Sequence, residues 1–184
     1  HIRHSTEKEA IQSLCSDSLT QPEAHIGIAH TRWATHGKAE LANAHPHYVN
    51  HTLALVHNGI IENHRNLKET LNQQSQGSIG WRSDTDSEVI AQWLYAETDR
   101  TGSFTEALQN LPIALEGTYA LAIIHKDFPE TLFCLCKGSP LVIGKNDGGF
   151  HVASDLAAID TTCTDYHDMQ AETLYTIHQQ NGIQ

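Results

Sequence analysis

A chain of 184 residues with 39% apolar and 18% charged residues carries enough apolar mass for one globular domain, residues 1–184, and is not a disordered sequence. Its formal net charge of −11, with the basic residues scattered singly, excludes the phosphate backbone of nucleic acid as a partner. Apolar runs such as Tyr119–Ile124 fall far short of the roughly 20 residues that cross a bilayer, and no targeting segment opens the chain, so a soluble cytoplasmic protein is expected.

In chain order, Thr6 and Glu9 form a capping box for a short helix to about Leu14, which must end before Pro22. Ile26-Gly27-Ile28-Ala29 reads as a short apolar strand. Residues 31–47 are rich in Thr, His, Asn, Gly and Pro and form a long loop, the kind of segment that carries function. The strand Leu53–Val56 follows and stops at His57-Asn58-Gly59, because Asn and Gly both tolerate a positive φ. Three helices come next. The first spans about Glu62–Gln73; the second is capped by Thr85 with Glu88 and carries the stripe Val89, Ile90, Trp93, Leu94; the third starts at Ser103, and Pro112 should kink or end it. After Gly117 short apolar runs mark strands at Tyr119–Ile124, Leu132–Cys136, Leu141–Ile143, Phe150–Ala153 and Thr173–Ile177. Strands on both sides of the helices, without βαβ alternation, predict an α+β fold of antiparallel sheets packed with helices.

The cysteines at 15, 134, 136 and 163 are expected to be reduced and structural; Cys134 and Cys136, two apart in a strand, should face one side as small buried hydrophobes. Fourteen histidines invite a metal reading, but none of them has the spacing of a zinc site, so neither metal nor cofactor is expected.

The segment Ala29-His30-Thr31-Arg32-Trp33-Ala34-Thr35-His36-Gly37 gathers a guanidinium, an indole, hydroxyls and imidazoles in one loop. Arg32 could hold a carboxylate in a bidentate fork, or be a plain surface arginine. Asn58-Gly59 offers an amide donor beside a backbone N–H, the makings of an oxyanion hole, although the residues alone favour a hairpin turn. Asp86, in the first turn of the second helix, could serve the helix dipole or turn outward to a ligand's amine.

Gly27 to Gly37, Asn43-Ala44-His45-Pro46-His47, Val56 to Asn63, Ser83 to Ile90, Leu115-Glu116-Gly117-Thr118-Tyr119-Ala120, Ser139 to Gly144 and Ala153-Ser154-Asp155 together resemble the glutaminase domain (class II glutamine amidotransferase) of glucosamine-6-phosphate synthases, in order and over nearly the whole chain. The resemblance implies a four-layer αββα sandwich of the N-terminal nucleophile hydrolase type. It makes Arg32 the clamp for the α-carboxylate of glutamine and Asp86 the partner of its α-ammonium, with Thr35 and His36 lining the pocket and Trp33 near the ammonia exit. Asn58 and Gly59 become the oxyanion donors. The parent enzyme so implied is a homo-oligomeric, isomerising glutamine–fructose-6-phosphate transaminase, whose partner is its own isomerase domain. Such domains use an N-terminal cysteine as nucleophile, whereas this chain begins with His1, and Cys15 lies in the wrong setting to replace it. The expectation is therefore a domain lacking its first strand, inactive alone, with a non-catalytic glutamine- or glutamate-binding regulatory domain as the alternative.

Overall fold

Alternating apolar residues assemble two antiparallel sheets in the computed structural model, which describes residues 25–31, 40–179 and 182–184. The larger sheet has the order β1 (His47–Val49), β2 (Leu53–Ile61), β3 (Gly117–His125), β4 (Thr131–Lys137), β8 (Tyr175–His178), β9 (Gly182–Ile183). In the smaller, β5 (Val142–Asn146) lies between β6 (Gly149–Ala153) and β7 (Asp165–Asp168). Helices α1 (His64–Gln74), α2 (Asp86–Thr101) and α3 (Phe104–Ala114) are inserted between β2 and β3.

The period-two pattern of the strands gives the large sheet two apolar faces. Leu121, Ile123, Phe133 and Leu135 point to one side and pack with Ile90 and Leu94 of α2 and Leu108 and Leu111 of α3. Ala120, Cys134 and Cys136 point to the other and pack with Leu141 and Ile143. The result is helix on sheet on sheet, the α+β arrangement the sequence predicts. Helices of 16 and 11 residues are marginal alone, and each fully buried Leu or Ile contributes roughly 1.5–3 kcal/mol, so this apolar seam holds them more than propensity does. Cys134, Cys136 and Cys163 are buried free thiols. Among the described residues no helix is long and apolar enough to cross a membrane.

Several elements differ from the expectations. Ile26-Gly27-Ile28-Ala29 joins neither sheet, because apolar character makes a strand only where a neighbour shares its amides. β2 does not stop at His57 but runs on through Asn58-Gly59 to Ile61, paired with β3 throughout. The α3 helix continues past Pro112 to Ala114. The polar strand β7, all four residues exposed, and the short β1 and β9 were not expected. The predicted helix at Thr6–Leu14 lies outside the described residues, as does Cys15.

Candidate functional site

The end of β2 is unusual in its backbone. Gly59 has φ +134°, and a Cβ built there would lie 2.1 Å from the Thr118 carbonyl oxygen of β3. The Asn-Gly pair that suggests a hairpin thus serves a close strand approach, with Asn58 opposite Ala120 and Gly59 opposite Tyr119.

β1 covers β2 only over Leu53–Leu55, so the far half of that edge of β2 lacks a strand partner among the described residues. Ile61 N–H points to this open edge and donates to Asp86 Oδ2 at 2.9 Å. The two-residue repeat of a strand sends Gly59 N–H to the same edge. Asn58, half-buried, stands beside it with its Oδ1 2.7 Å from His30 Nε2.

Asp86 is placed by the start of α2. Thr85 caps the helix, accepting from Glu88 N–H at 3.2 Å. The Glu88 carboxylate does not complete a capping box; it reaches upstream, accepting from Arg82 N–H at 2.8 Å and from Ser83 N–H at 2.6 Å. That fixes the loop before the helix and turns Asp86 towards β2, where it is 6% exposed. Its Oδ1 lies 3.5 Å from Ser87 Oγ and 3.9 Å from His57 Nδ1, both longer than a good hydrogen bond.

Beneath the strand end lies a buried polar network. Ser87 Oγ sits 2.9 Å from His57 Nδ1 and 3.0 Å from His45 Nε2; its single proton goes to one of these rings or to Asp86 Oδ1, and its lone pairs accept from the remaining donors. His47 Nε2 meets Thr85 Oγ1 at 3.0 Å, and the His30 and His45 rings lie 4.1 Å apart.

Burial pushes the His57 imidazole below its ordinary 6.5, against the opposing pull of Asp86 and of the Thr118 backbone, and burial likewise lowers His125, whose Nδ1 accepts from Asp127 N–H at 3.2 Å. Both rings are neutral in the folded state at pH values where the unfolded chain would protonate them. Their contribution to stability is complete above pH 6.5 and is lost as the pH falls below it towards the lowered values, by at most about 1.4 kcal/mol per pH unit for His57. The thermal midpoint at pH 5.5 should therefore lie below that at pH 7.5; equal midpoints would contradict the neutral assignment.

A cavity of about 550 Å³ opens beside Asn58, bordered by His30, Thr31 and His57 on one side and by Phe150, His151 and Ser154 of the smaller sheet's β6 region on the other. A larger groove of about 920 Å³, lined by Tyr48, Arg82, Trp93 and Arg100, contains none of the candidate residues. Asn58, Gly59 and Asp86 thus converge at one strand end, while Arg32, Trp33, Thr35 and His36 lie outside the described residues. His30, His45, Ser87 and Glu88 were not singled out for these roles in the sequence, since their contacts to Asn58, Ser87, His45 and Arg82 have no local signature. Among the described residues no group of three or more His, Cys, Asp or Glu is placed to hold a metal ion.

The glutamine amidotransferase domain family matches residues 30–161. The glutamine–fructose-6-phosphate aminotransferase (isomerizing) of Chlamydia abortus is 43% identical over 158 residues, 85% of this chain and 24% of its own length. That of Idiomarina loihiensis is 42% identical over 161 residues, covering 86% and 26%, and that of Thermosynechococcus vestitus 48% over 140 residues, covering 74% and 22%. The chain thus spans about a quarter of the length of these curated relatives. Among solved structures, the glutamine phosphoribosylpyrophosphate amidotransferase of B. subtilis, complexed with ADP and GMP, matches with a TM-score of 0.66 at 28% identity, over 84% of this chain and 33% of that one. A structure of the allosteric regulatory enzyme of purine biosynthesis matches with a TM-score of 0.67, also at 28% identity and with the same coverage.

Proposed function

Because the chain belongs to the family of glutamine amidotransferase domains, we propose that residues 1–184 form one glutaminase-type domain that binds L-glutamine at the end of β2 and directs its hydrolysis to glutamate and ammonia. The observation that carries this is the pairing of the Asn58 side chain with Gly59 N–H on an open strand edge beside a cavity, with a buried carboxylate one strand step away.

In this proposal Arg32 grips the α-carboxylate in a bidentate fork, and Asp86 Oδ1, the oxygen not engaged by Ile61 N–H, takes the α-ammonium. Thr35 and His36 line the pocket and Trp33 stands at the ammonia exit. A thiolate attacks the carboxamide carbon, and the electron pair of the C=O bond moves onto oxygen. Asn58 Nδ2–H and Gly59 N–H hold that oxyanion. Collapse expels ammonia, with the proton from the attacking group's side, and leaves a thioester that water cleaves to glutamate. Burial pushes the Cys134, Cys136 and Cys163 thiols up, which suits structural rather than nucleophilic roles. In this proposal Asn58 and Gly59 are the oxyanion donors and Asp86 the ammonium partner, and none of these three thiols is the nucleophile.

The names of the relatives support a further step, in which the complete protein passes the ammonia to fructose 6-phosphate in an isomerase domain and yields glucosamine 6-phosphate. Arg32→Ala in the protein as its gene encodes it should raise the glutamine KM by about tenfold or more, since a bidentate charged contact is worth roughly 1.5–3 kcal/mol. An unchanged KM removes Arg32 from the site. Binding of L-glutamate by calorimetry without any glutamine turnover would favour a regulatory binding domain instead.

A further inference from the structure

We propose that His30 is a positioning residue that fixes which end of the Asn58 side-chain amide faces the cavity; the proposal rests on the oxyanion reading above. An asparagine amide presents a carbonyl on one edge and an NH₂ on the other, and its terminal torsion is broad and roughly two-fold, so the strand backbone alone does not choose between them. The choice decides the chemistry. With Nδ2 towards the carboxamide oxygen, Asn58 stabilises negative charge; with Oδ1 there, its lone pairs repel it.

His30 supplies the selection. Its Nε2 lies 2.7 Å from Asn58 Oδ1, a distance at which an N–H donor and a carbonyl acceptor are matched, and a protonated imidazole or its Nε2–H tautomer accepts only this orientation. The ring itself is braced. It lies against the His45 ring at 4.1 Å, tilted by 38°, and His45 is in turn tied through Nε2 to Ser87 Oγ at 3.0 Å inside the first turn of α2. Asn58 and His30 border the same cavity, so the imidazole takes one edge of the amide and the other is left for the ligand. The contact spans 28 residues and joins the segment 25–31 to the sheet, which gives that segment a role it does not have as a strand.

The test is steady-state glutamine hydrolysis by the protein as its gene encodes it, comparing wild type with His30→Ala, His30→Gln, Asn58→Ala and the double variant His30→Ala/Asn58→Ala. His30→Ala should lower kcat by about tenfold, equivalent to about 1.4 kcal/mol of transition-state binding, while KM changes by less than about threefold. The double variant should be no slower than Asn58→Ala, because His30 acts only through the amide it orients. His30→Gln keeps an N–H donor and should recover part of the loss; it also stays informative if the alanine variant does not fold. The proposal is overturned if His30→Ala leaves kcat at the wild-type value, or if it slows the enzyme by the same factor with and without Asn58. If Asn58→Ala is itself as fast as wild type, the oxyanion assignment fails and the role of His30 fails with it; a slow Asn58→Ala beside a fast His30→Ala sinks the positioning role alone.

Discussion

Asn58→Ala should lower kcat for glutamine hydrolysis by about 10²–10³-fold while changing KM much less, because removal of one preformed oxyanion donor costs a transition-state contact that the ground-state carboxamide barely uses. The substitution is mild for the fold. Asn58 is half-buried, its backbone stays paired opposite Ala120, and among the described residues the side-chain hydrogen bond lost is that to His30. Asn58→Asp, which places a carboxylate against the developing oxyanion, should be slower than the alanine variant. Steady-state kinetics with a circular dichroism check of folding decides it: wild-type kcat in a folded Asn58→Ala protein removes Asn58 from the mechanism.

A large loss of stability should come from a substitution at the neighbouring position. A Cβ at Gly59 would meet Thr118 O at 2.1 Å, Thr118 C at 2.7 Å and Tyr119 Cα at 2.9 Å, all backbone atoms that cannot rotate aside, and φ +134° is a conformation that residues with a Cβ rarely adopt. Gly59→Ala must either part β2 from β3 or flip its own backbone, and either path should cost at least about 3 kcal/mol. For a chain of this size that is a fall of roughly 6–12 °C in Tm. Gly80→Ala, where nothing lies within 4 Å and φ is ordinary, should stay within about 0.5 kcal/mol of wild type. Equal Tm values for the Gly59 and Gly80 variants would show that the close approach of β2 to β3 is wrong.

The two substitutions also explain where the sequence was legible and where it was not. Period and capping sufficed wherever one element decides its own form: Thr85 and Ser103 cap α2 and α3, and the apolar runs of β3 and β4 are strands. Cys134 and Cys136 face the second sheet together, as their spacing requires. The Asn-Gly step misleads because a positive φ serves a hairpin and a close strand approach equally, and only the Thr118 carbonyl distinguishes them. β7 is polar and exposed, Asp165-Tyr166-His167-Asp168, and becomes a strand because β5 offers it an edge. Ile26-Gly27-Ile28-Ala29 shows the converse, an apolar segment without a ladder.

At the site, local chemistry marked Asn58, Gly59 and Asp86, which the fold brings to one strand end, whereas the direction of the Asp86 carboxylate could not be read from its helix position. Glu88 settles that direction by pinning Arg82 and Ser83 ahead of the helix. The histidine network was hidden for the same reason: His30, His45 and His57 reach partners 28, 42 and 30 residues away, and no spacing rule connects them.

The most direct test of the glutaminase assignment is the release of L-glutamate from L-glutamine by the protein as its gene encodes it, followed against glutamine concentration. Saturable release, one glutamate and one ammonia for each glutamine consumed, is the expected result. A folded protein that binds glutamine but releases no glutamate would contradict the assignment and leave a binding domain in its place.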